Sequence, residues 1–325
     1  MAPGHDENAR PGLANGTGPA GTAGAAGLPG TAPGLAVCPI CAAPVLAGDV
    51  YCEACGHTLD APACASCGAA AVDAEGYCER CGLRQPTGRD HTEIILRPDP
   101  ATAPETGPQP LAGAAAVTDR GLRRARNEDA VALRAAGDAV VTVVCDGVGS
   151  SPRADEAAAV AVEAAAAALV RGLPHEEAFG LAGRAVTNLA TSVHDAPACT
   201  YVAAVVRPGR VTLAWAGDTR AYWVAGDGIG TPLTADDAVE TGELTAWLGA
   251  DAEDVAPTVR TFTPPGPGLL LVCSDGLWRY LDDGYAFPGA GAPIERAREL
   301  LRHALDSGGQ DNVTIAVIPL GDDRE

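Results

Sequence analysis

Four apolar runs in this chain are tied to a lone acid, and a fifth stretch carries an acidic pair. VVCDGVGS holds Asp146, WAGDTR holds Asp218, LLLVCSDG holds Asp275, and GGQDNVTIAVI sets Asp311 just ahead of a strand; GLRRARNEDA adds Glu128 and Asp129. A β-branched run that stops at Asp-Gly reads as a buried strand delivering one carboxylate to the end of a sheet. Taken alone, Asp146-Gly147 is equally an ordinary Asp-Gly turn. Repetition shifts the reading. Carboxylates brought to strand ends from distant parts of a chain form oxygen cages for hard divalent cations, and Gly147 lets an ion or a neighbouring group approach the backbone.

A second chemistry is written in cysteine. Of eleven cysteines, eight fall in Cys-x-x-Cys pairs: Cys38 and Cys41, Cys52 and Cys55, Cys64 and Cys67, Cys78 and Cys81. Two thiolates at that spacing converge on one ion, and two such knuckles close a tetrahedral site. The stretch resembles a tandem zinc ribbon with two structural zinc ions; redox dithiols or disulfides are the competing readings. It is too small to fold on an apolar core, so the metal should hold it together. His57, beside the second knuckle, is expected on the surface, because four thiolates already complete the site. Cys145, Cys199 and Cys273 sit in apolar runs and read as packed core thiols.

The 325 residues carry a net charge of −20. So acidic a chain, with no basic stripe, makes nucleic acid a poor partner. The N-terminus lacks the basic and apolar regions of a signal peptide, and the longest apolar stretch, Ala157 to Val170, is too short to span a bilayer. The expected location is the cytoplasm, without membrane contact.

The elements that must position these groups follow from periodicity. Residues 1–36 are a Gly/Ala/Pro-rich lead expected to be disordered, 37–83 the double zinc ribbon, 84–110 a Pro-rich linker with room for a short strand at Thr92 to Arg97, and 111–325 the main domain. Strands are expected at Ala114–Thr118, Ala130–Ala135, Val140–Cys145, Thr200–Arg207, Arg210–Ala216, Arg220–Ala225, Leu269–Cys273 and Val313–Pro319. Helices are expected at Ala154–Arg171, with Ser150 or Ser151 near its start, at Glu176–His194 and at Ile294–Asp306. Runs of strands separating helices predict an α+β fold of largely antiparallel sheets with helices outside.

From Leu111 to Leu320 the motifs GLRRARNEDA, VVCDGVGS, CTYVAAVV, WAGDTRAYW, LLVCSDGLW and GGQDNVTIAVI, in that order, resemble the bacterial metal-dependent protein phosphatases of the protein phosphatase 2C type. The resemblance implies a four-layer sandwich of two antiparallel sheets between helices. It implies a phosphoserine/phosphothreonine protein phosphatase that hydrolyses phosphomonoesters with a hydroxide activated by two Mn²⁺ or Mg²⁺ ions. Asp146 would bridge the two metals. Glu128 and the Gly147 carbonyl would hold one, Asp275 and Asp311 the other, and Asp218 with Asp275 a third, weaker one. Arg124 would clamp the substrate phosphate, while Arg123 and Arg126 read as solvent-exposed charges. Asp129 would orient the loop or a water, and Asn312 would fix the loop after Asp311. Cys145 and Cys273 would point into the core and take no part as nucleophiles.

Two departures stand out. Val148 occupies the place where some members carry a histidine, and the flap from Ala235 to Pro257 is short. The implied partners are phosphorylated Ser/Thr proteins, substrates of a bacterial Ser/Thr kinase, met by a monomeric enzyme whose ribbons dock an unidentified protein. The competing readings are a phosphatase-like scaffold that binds phosphoproteins with little activity, and a hydrolase of small phosphate esters.

Overall fold

The structure is a computed structural model that describes residues 36–38, 40–46, 49, 51–57, 59, 62–73, 76–83, 85, 88–97, 113–192, 195–252, 255–282, 285–289 and 291–321. The expected disordered lead lies outside the described residues, as does most of the linker. The chain divides into two compact units, residues 1–85 and 86–325. Among the described residues no helix is long and apolar enough to cross a membrane.

In the first unit, β1 (Ala36–Val37) pairs with β2 (Pro44–Val45). Cys38, Cys41, Cys52 and Cys55 form one cluster and Cys64, Cys67, Cys78 and Cys81 another, with the sulfurs of each set within 4.8 Å of one another. Cys38–Cys55 and Cys64–Cys81 stand 3.7 Å apart, Cys41–Cys52 and Cys67–Cys78 3.6 Å. A tetrahedron with Zn–S bonds of about 2.3 Å has edges of about 3.8 Å, so the sulfurs already describe one. Disulfides would need about 2.05 Å, and all eight thiols are free. The Cys67 N–H, 3.4 Å from Cys64 Sγ, is the main cause that holds the Cys64 thiol down to about 6, toward the thiolate a metal requires. His57 departs from the expected surface position. It is buried, with Nδ1 2.6 Å from the Glu79 carboxylate and Nε2 2.9 Å from the Ala70 carbonyl. Both partners belong to the second cysteine set, so this side chain staples the two knuckle pairs, each too small to bury a histidine by itself.

The second unit is built from β3 (His91–Leu96), β4 (Ala114–Asp119), β5 (Ala130–Ala136), β6 (Ala139–Cys145), α1 (Ala154–Val170), α2 (His175–Thr187), β7 (Ala198–Cys199), β8 (Tyr201–Arg207), β9 (Arg210–Ala216), β10 (Arg220–Ala225), β11 (Gly230–Pro232), β12 (Leu248–Gly249), β13 (Thr258–Phe262), β14 (Gly268–Cys273), α3 (Asp275–Trp278), α4 (Pro293–Asp306) and β15 (Val313–Leu320). One antiparallel sheet has the order β11-β10-β14-β15-β4-β3, the other β13-β9-β8-β6-β5. Period-two alternation explains the layering. Val140 and Val144 of β6 meet Leu270, Val272 and Ile318 of the other sheet. Val141, Val143 and Cys145 turn to the opposite face, against the Ala-rich stripe of α1 and against α2. On the far side Leu271, Ile315 and Val317 pack on Leu300 and Leu301 of α4. The result is the expected helix–sheet–sheet–helix sandwich, with β13 and β11 as edge strands that the sequence reading did not single out.

Two local features differ from the sequence reading, and a third bears it out. Helix α2 ends at Thr187 instead of running on to His194. Helix α1 is not capped by Ser150 or Ser151; Arg153 precedes it in a left-handed conformation (φ 50°). Arg153 is held there by the Leu189 carbonyl and by Asp195 at 2.7 Å, while Ser151 Oγ accepts from the Ala198 N–H. The strand allowed for in the linker is real, and β3 pairs with β4 along its full length, His91 opposite Asp119 and Leu96 opposite Ala114. Glu93 forks onto Arg298 of α4 at 2.7 and 2.6 Å. A fragment starting at Leu111 would strip this strand and bare the edge of β4. Such a fragment is expected to melt about 10 °C below one starting at residue 86, because the two apolar side chains that β3 packs against the core, Ile94 and Leu96, are lost with the strand. Equal melting curves would show that β3 adds nothing.

Candidate active site

Register gathers the acids at one end of the sandwich. β6 stops at Cys145, so Asp146 stands just past the end of the five-stranded sheet. Ala130 pairs with Cys145, which sets Glu128 beside Gly147, whose N–H donates to the Glu128 carbonyl at 3.1 Å. In the other sheet Cys273 pairs with both Arg220 and Ile315, so Asp218, Asp275 and Asp311 leave their strands at the same rim. Gly147 is obligatory: a Cβ there would lie 2.8 Å from the Glu128 and Ala154 carbonyl oxygens. Its own carbonyl accepts none of the backbone hydrogen bonds that tie this turn among the described residues.

Each acid is held by named neighbours. Asn312 accepts from the Glu128 N–H at 2.8 Å and donates to the Arg120 and Arg126 carbonyls at 2.8 and 2.7 Å, fastening the GLRRARNEDA loop. Asp129 is buried and accepts from Ser274 Oγ at 2.7 Å, and Ser274 in turn accepts from the Thr314 N–H at 2.9 Å. Asp129 thus joins the start of β5 to the end of β14. Arg124 pairs with Asp311 at 2.5 Å, and Arg279 with Asp275 at 2.7 Å. Trp278 Nε1 donates to the Asp218 carbonyl at 2.8 Å, with the Arg220 guanidinium 3.6 Å over its ring.

The electrostatics are those of a site suited to cations. Burial first, then Asp129, Asp275, Asp218 and Asp311, push Asp146 well above the carboxylate range. Burial also raises Glu128 and Asp275, and lifts Asp218 to about 6 and Asp129 to about 7. Asp275 Oδ1 and Asp129 Oδ1 are buried with no hydrogen-bond partner. Carboxylate oxygens so crowded and so poorly satisfied suit divalent cations as partners, and an all-oxygen donor set fits Mg²⁺ or Mn²⁺. The carboxylates stand farther apart than the cysteines: among the described residues only the two thiol sets bring three or more ligand atoms within 4.8 Å of one another.

A cleft of about 520 Å³ opens beside two of these acids, Asp275 and Asp311, and is lined also by Arg123, Arg124, Arg279 and Tyr280. Arg279 was not singled out from sequence, although Asp275-Gly-Leu-Trp-Arg279 places it one helical turn beyond the acid. Arg123, expected as a plain surface charge, lines the cleft. A second cavity of about 570 Å³ lies beside the Val148 turn and is closed by Leu244, Trp247 and Asp251 of the flap. The short flap is pinned: Arg220 forks onto Asp236 at 2.8 and 2.7 Å, and β12 pairs with β7. The smaller cleft is the one that meets the acidic rim, through Asp275, Asp311 and Arg124. Cys145 and Cys273 are buried in the helix-facing cores, and burial raises both thiols.

An acidic rim with an arginine over it, at one end of a helix–sheet–sheet–helix sandwich, defines a metal-dependent phosphatase type of fold. A family model described as Protein phosphatase 2C matches residues 122–300, more than half of the chain. The chain belongs to the protein phosphatase 2C family. It is 30% identical over 236 residues to the serine/threonine protein phosphatase PstP of Mycobacterium tuberculosis, a match covering 64% of this chain and 45% of that protein. The chain therefore corresponds to less than half the length of the curated relatives it matches. Among solved structures, the catalytic domain of PstP in complex with two manganese ions aligns with TM-score 0.55 and 28% identity, covering 64% of this chain and 98% of that one. The phosphatase MsPP from Mycobacterium smegmatis, in complex with cacodylate, aligns with TM-score 0.58 and 26% identity over 65% and 100% of the two chains.

Proposed function

We propose that this chain is a Mn²⁺- or Mg²⁺-dependent phosphatase of phosphoserine and phosphothreonine proteins. The observation that carries the reading is the convergence of Glu128, Asp146, Asp218, Asp275 and Asp311 on one rim, with Arg124 bonded to Asp311 beside it. PstP, named a serine/threonine protein phosphatase and solved with two manganese ions, supports it. Asp146 would stand between two ions. Glu128 and the Gly147 carbonyl would hold one, Asp275 and Asp311 the other, and Asp218 with Asp275 a third. Bound there, the ions supply Lewis-acid charge and lower the pKa of a water nucleophile. Arg124, freed from Asp311, presents its fork to the phosphoryl oxygens and holds them in line for attack. The eight paired cysteines would hold two structural zinc ions, making the first unit a docking or regulatory module. The test is hydrolysis of a phosphothreonine peptide by the fragment from residue 86 with Mn²⁺, with and without chelator. Phosphopeptide binding without turnover would instead favour the scaffold reading.

A serine or threonine alkoxide needs a proton as it leaves, whereas nitrophenolate does not. Val148 offers none, which leaves Asp218 as the acid that organises the donor. Asp218→Ala is expected to lower kcat/KM on a phosphopeptide about tenfold more than on nitrophenyl phosphate. Equal losses at saturating Mn²⁺ would reduce Asp218 to shaping the GDTR turn.

A further inference from the structure

Away from the catalytic rim, the turn between α1 and α2 faces the β8–β9 hairpin across a recess of about 200 Å³. Its lining includes Leu169, Leu173, His175, Arg207, Arg210 and Thr212. His175 is only 7% exposed, and neither ring nitrogen has a hydrogen-bond partner. Buried imidazole nitrogens are rarely left so, because an unmet polar atom out of water is costly. His175 is also the first residue of α2, a helix of 13 residues whose N-cap, Pro174, offers no side-chain cap. The first intrahelical bond runs from Ala178 N–H to the Pro174 carbonyl, so the N–H groups of the first turn point out of the helix. Two arginines thus line the same recess as a histidine with an unpaired imidazole at an uncapped helix N-terminus, on a chain of net charge −20.

We propose that this recess binds a small oxyanion of the phosphate type. His175 would donate from one ring nitrogen, Arg207 and Arg210 would supply the fork and the charge, and the first turn of α2 would add backbone N–H groups. The groups opposing an anion are Glu176 and Glu177 in the first turn of α2 and Asp138, which reaches Arg207 only at 3.9 Å. Arg210 and the imidazole therefore decide the balance. The recess holds about seven water volumes, room for a tetrahedral oxyanion and part of its hydration. Free phosphate and the phosphoryl group of a peptide share this chemistry. The site does not depend on the phosphatase reading, since none of its residues belongs to the acidic rim.

The experiment is a titration of the full chain, labelled with ¹⁵N-histidine, with inorganic phosphate in one arm and a phosphothreonine peptide in the other. The His175 ring signals are assigned by their loss in His175→Gln. Saturable shifts at millimolar inorganic phosphate are expected, and Arg207→Ala or Arg210→Ala should each weaken the binding about tenfold. Turnover of nitrophenyl phosphate should be unchanged in both arginine variants. Shifts in the peptide arm alone would place the phosphoryl source in a substrate; shifts with inorganic phosphate would place it in free anion. Absence of a saturable shift in both arms, or a shift that both arginine variants leave unaltered, would overturn the proposal.

Discussion

Asp146→Asn is expected to reduce phosphopeptide hydrolysis by about 10³-fold or more, with the fold retained. One carboxylate between two ions positions both, so its loss removes charge stabilisation and the nucleophile together. A near-normal rate in a folded, metal-replete variant would end the two-metal reading. The same substitution has a second consequence of opposite sign. In the metal-free chain, burial and then Asp129, Asp275, Asp218 and Asp311 hold the Asp146 pKa well above its usual value. A carboxyl with a raised folded-state pKa leaves stability intact below its unfolded pKa of about 3.9 and erodes it as pH climbs toward the folded value. Above that window Asn, which never ionises, is expected to raise the melting temperature of the chelated protein. At pH 3 the difference should vanish. A variant that is both inactive and less stable when chelated would point to general damage instead of a lost metal bridge.

Removal of zinc is expected to unfold the first unit entirely. Structural zinc contributes on the order of 10–16 kcal/mol to such modules, far more than a core of Val45, Ala69, Ala71 and Val72 provides. Freshly purified full chain should contain two zinc ions in addition to Mn²⁺ or Mg²⁺. Cys52→Ser and Cys78→Ser should each lose one of them. Because His57 of the first cysteine set is bonded to Ala70 and Glu79 of the second, either variant should also loosen the other set, seen as faster amide exchange there. The fragment from residue 86 should keep its activity on nitrophenyl phosphate after zinc chelation and Mn²⁺ replenishment. Zinc-free native protein, or a folded but inactive fragment, would contradict this picture.

Some features of this protein were determined by its sequence alone. The thiolate knuckles are set by a spacing that any chain reproduces, and their sulfurs do close into two four-sulfur sets. The central strands of both sheets were legible because β-branched runs with period two have one way to bury themselves. The acids at their ends follow from where those runs stop, so Asp146, Asp275 and Asp311 could be named as neighbours before any sheet order was known. The six motifs in order pointed to the family that the family model then matched over residues 122–300.

Other features belong to the tertiary structure, because they depend on groups that meet only after folding. His57 looked like a surface residue until the second knuckle pair supplied two acceptors and buried it. β3 lies in a Pro-rich stretch with little pattern, and it is a strand because β4 offers a free edge and α4 offers Arg298. Arg153 takes a conformation that its own type disfavours, held by Asp195 and the Leu189 carbonyl some forty residues on. His175 carried no signal in sequence. Only the packing of the α1–α2 turn against the β8–β9 hairpin placed it on one recess with Arg207 and Arg210. Periodicity and spacing are properties of a segment and survive in isolation, whereas burial, pairing and charge environment are properties of contacts between segments, and a linear order does not record them.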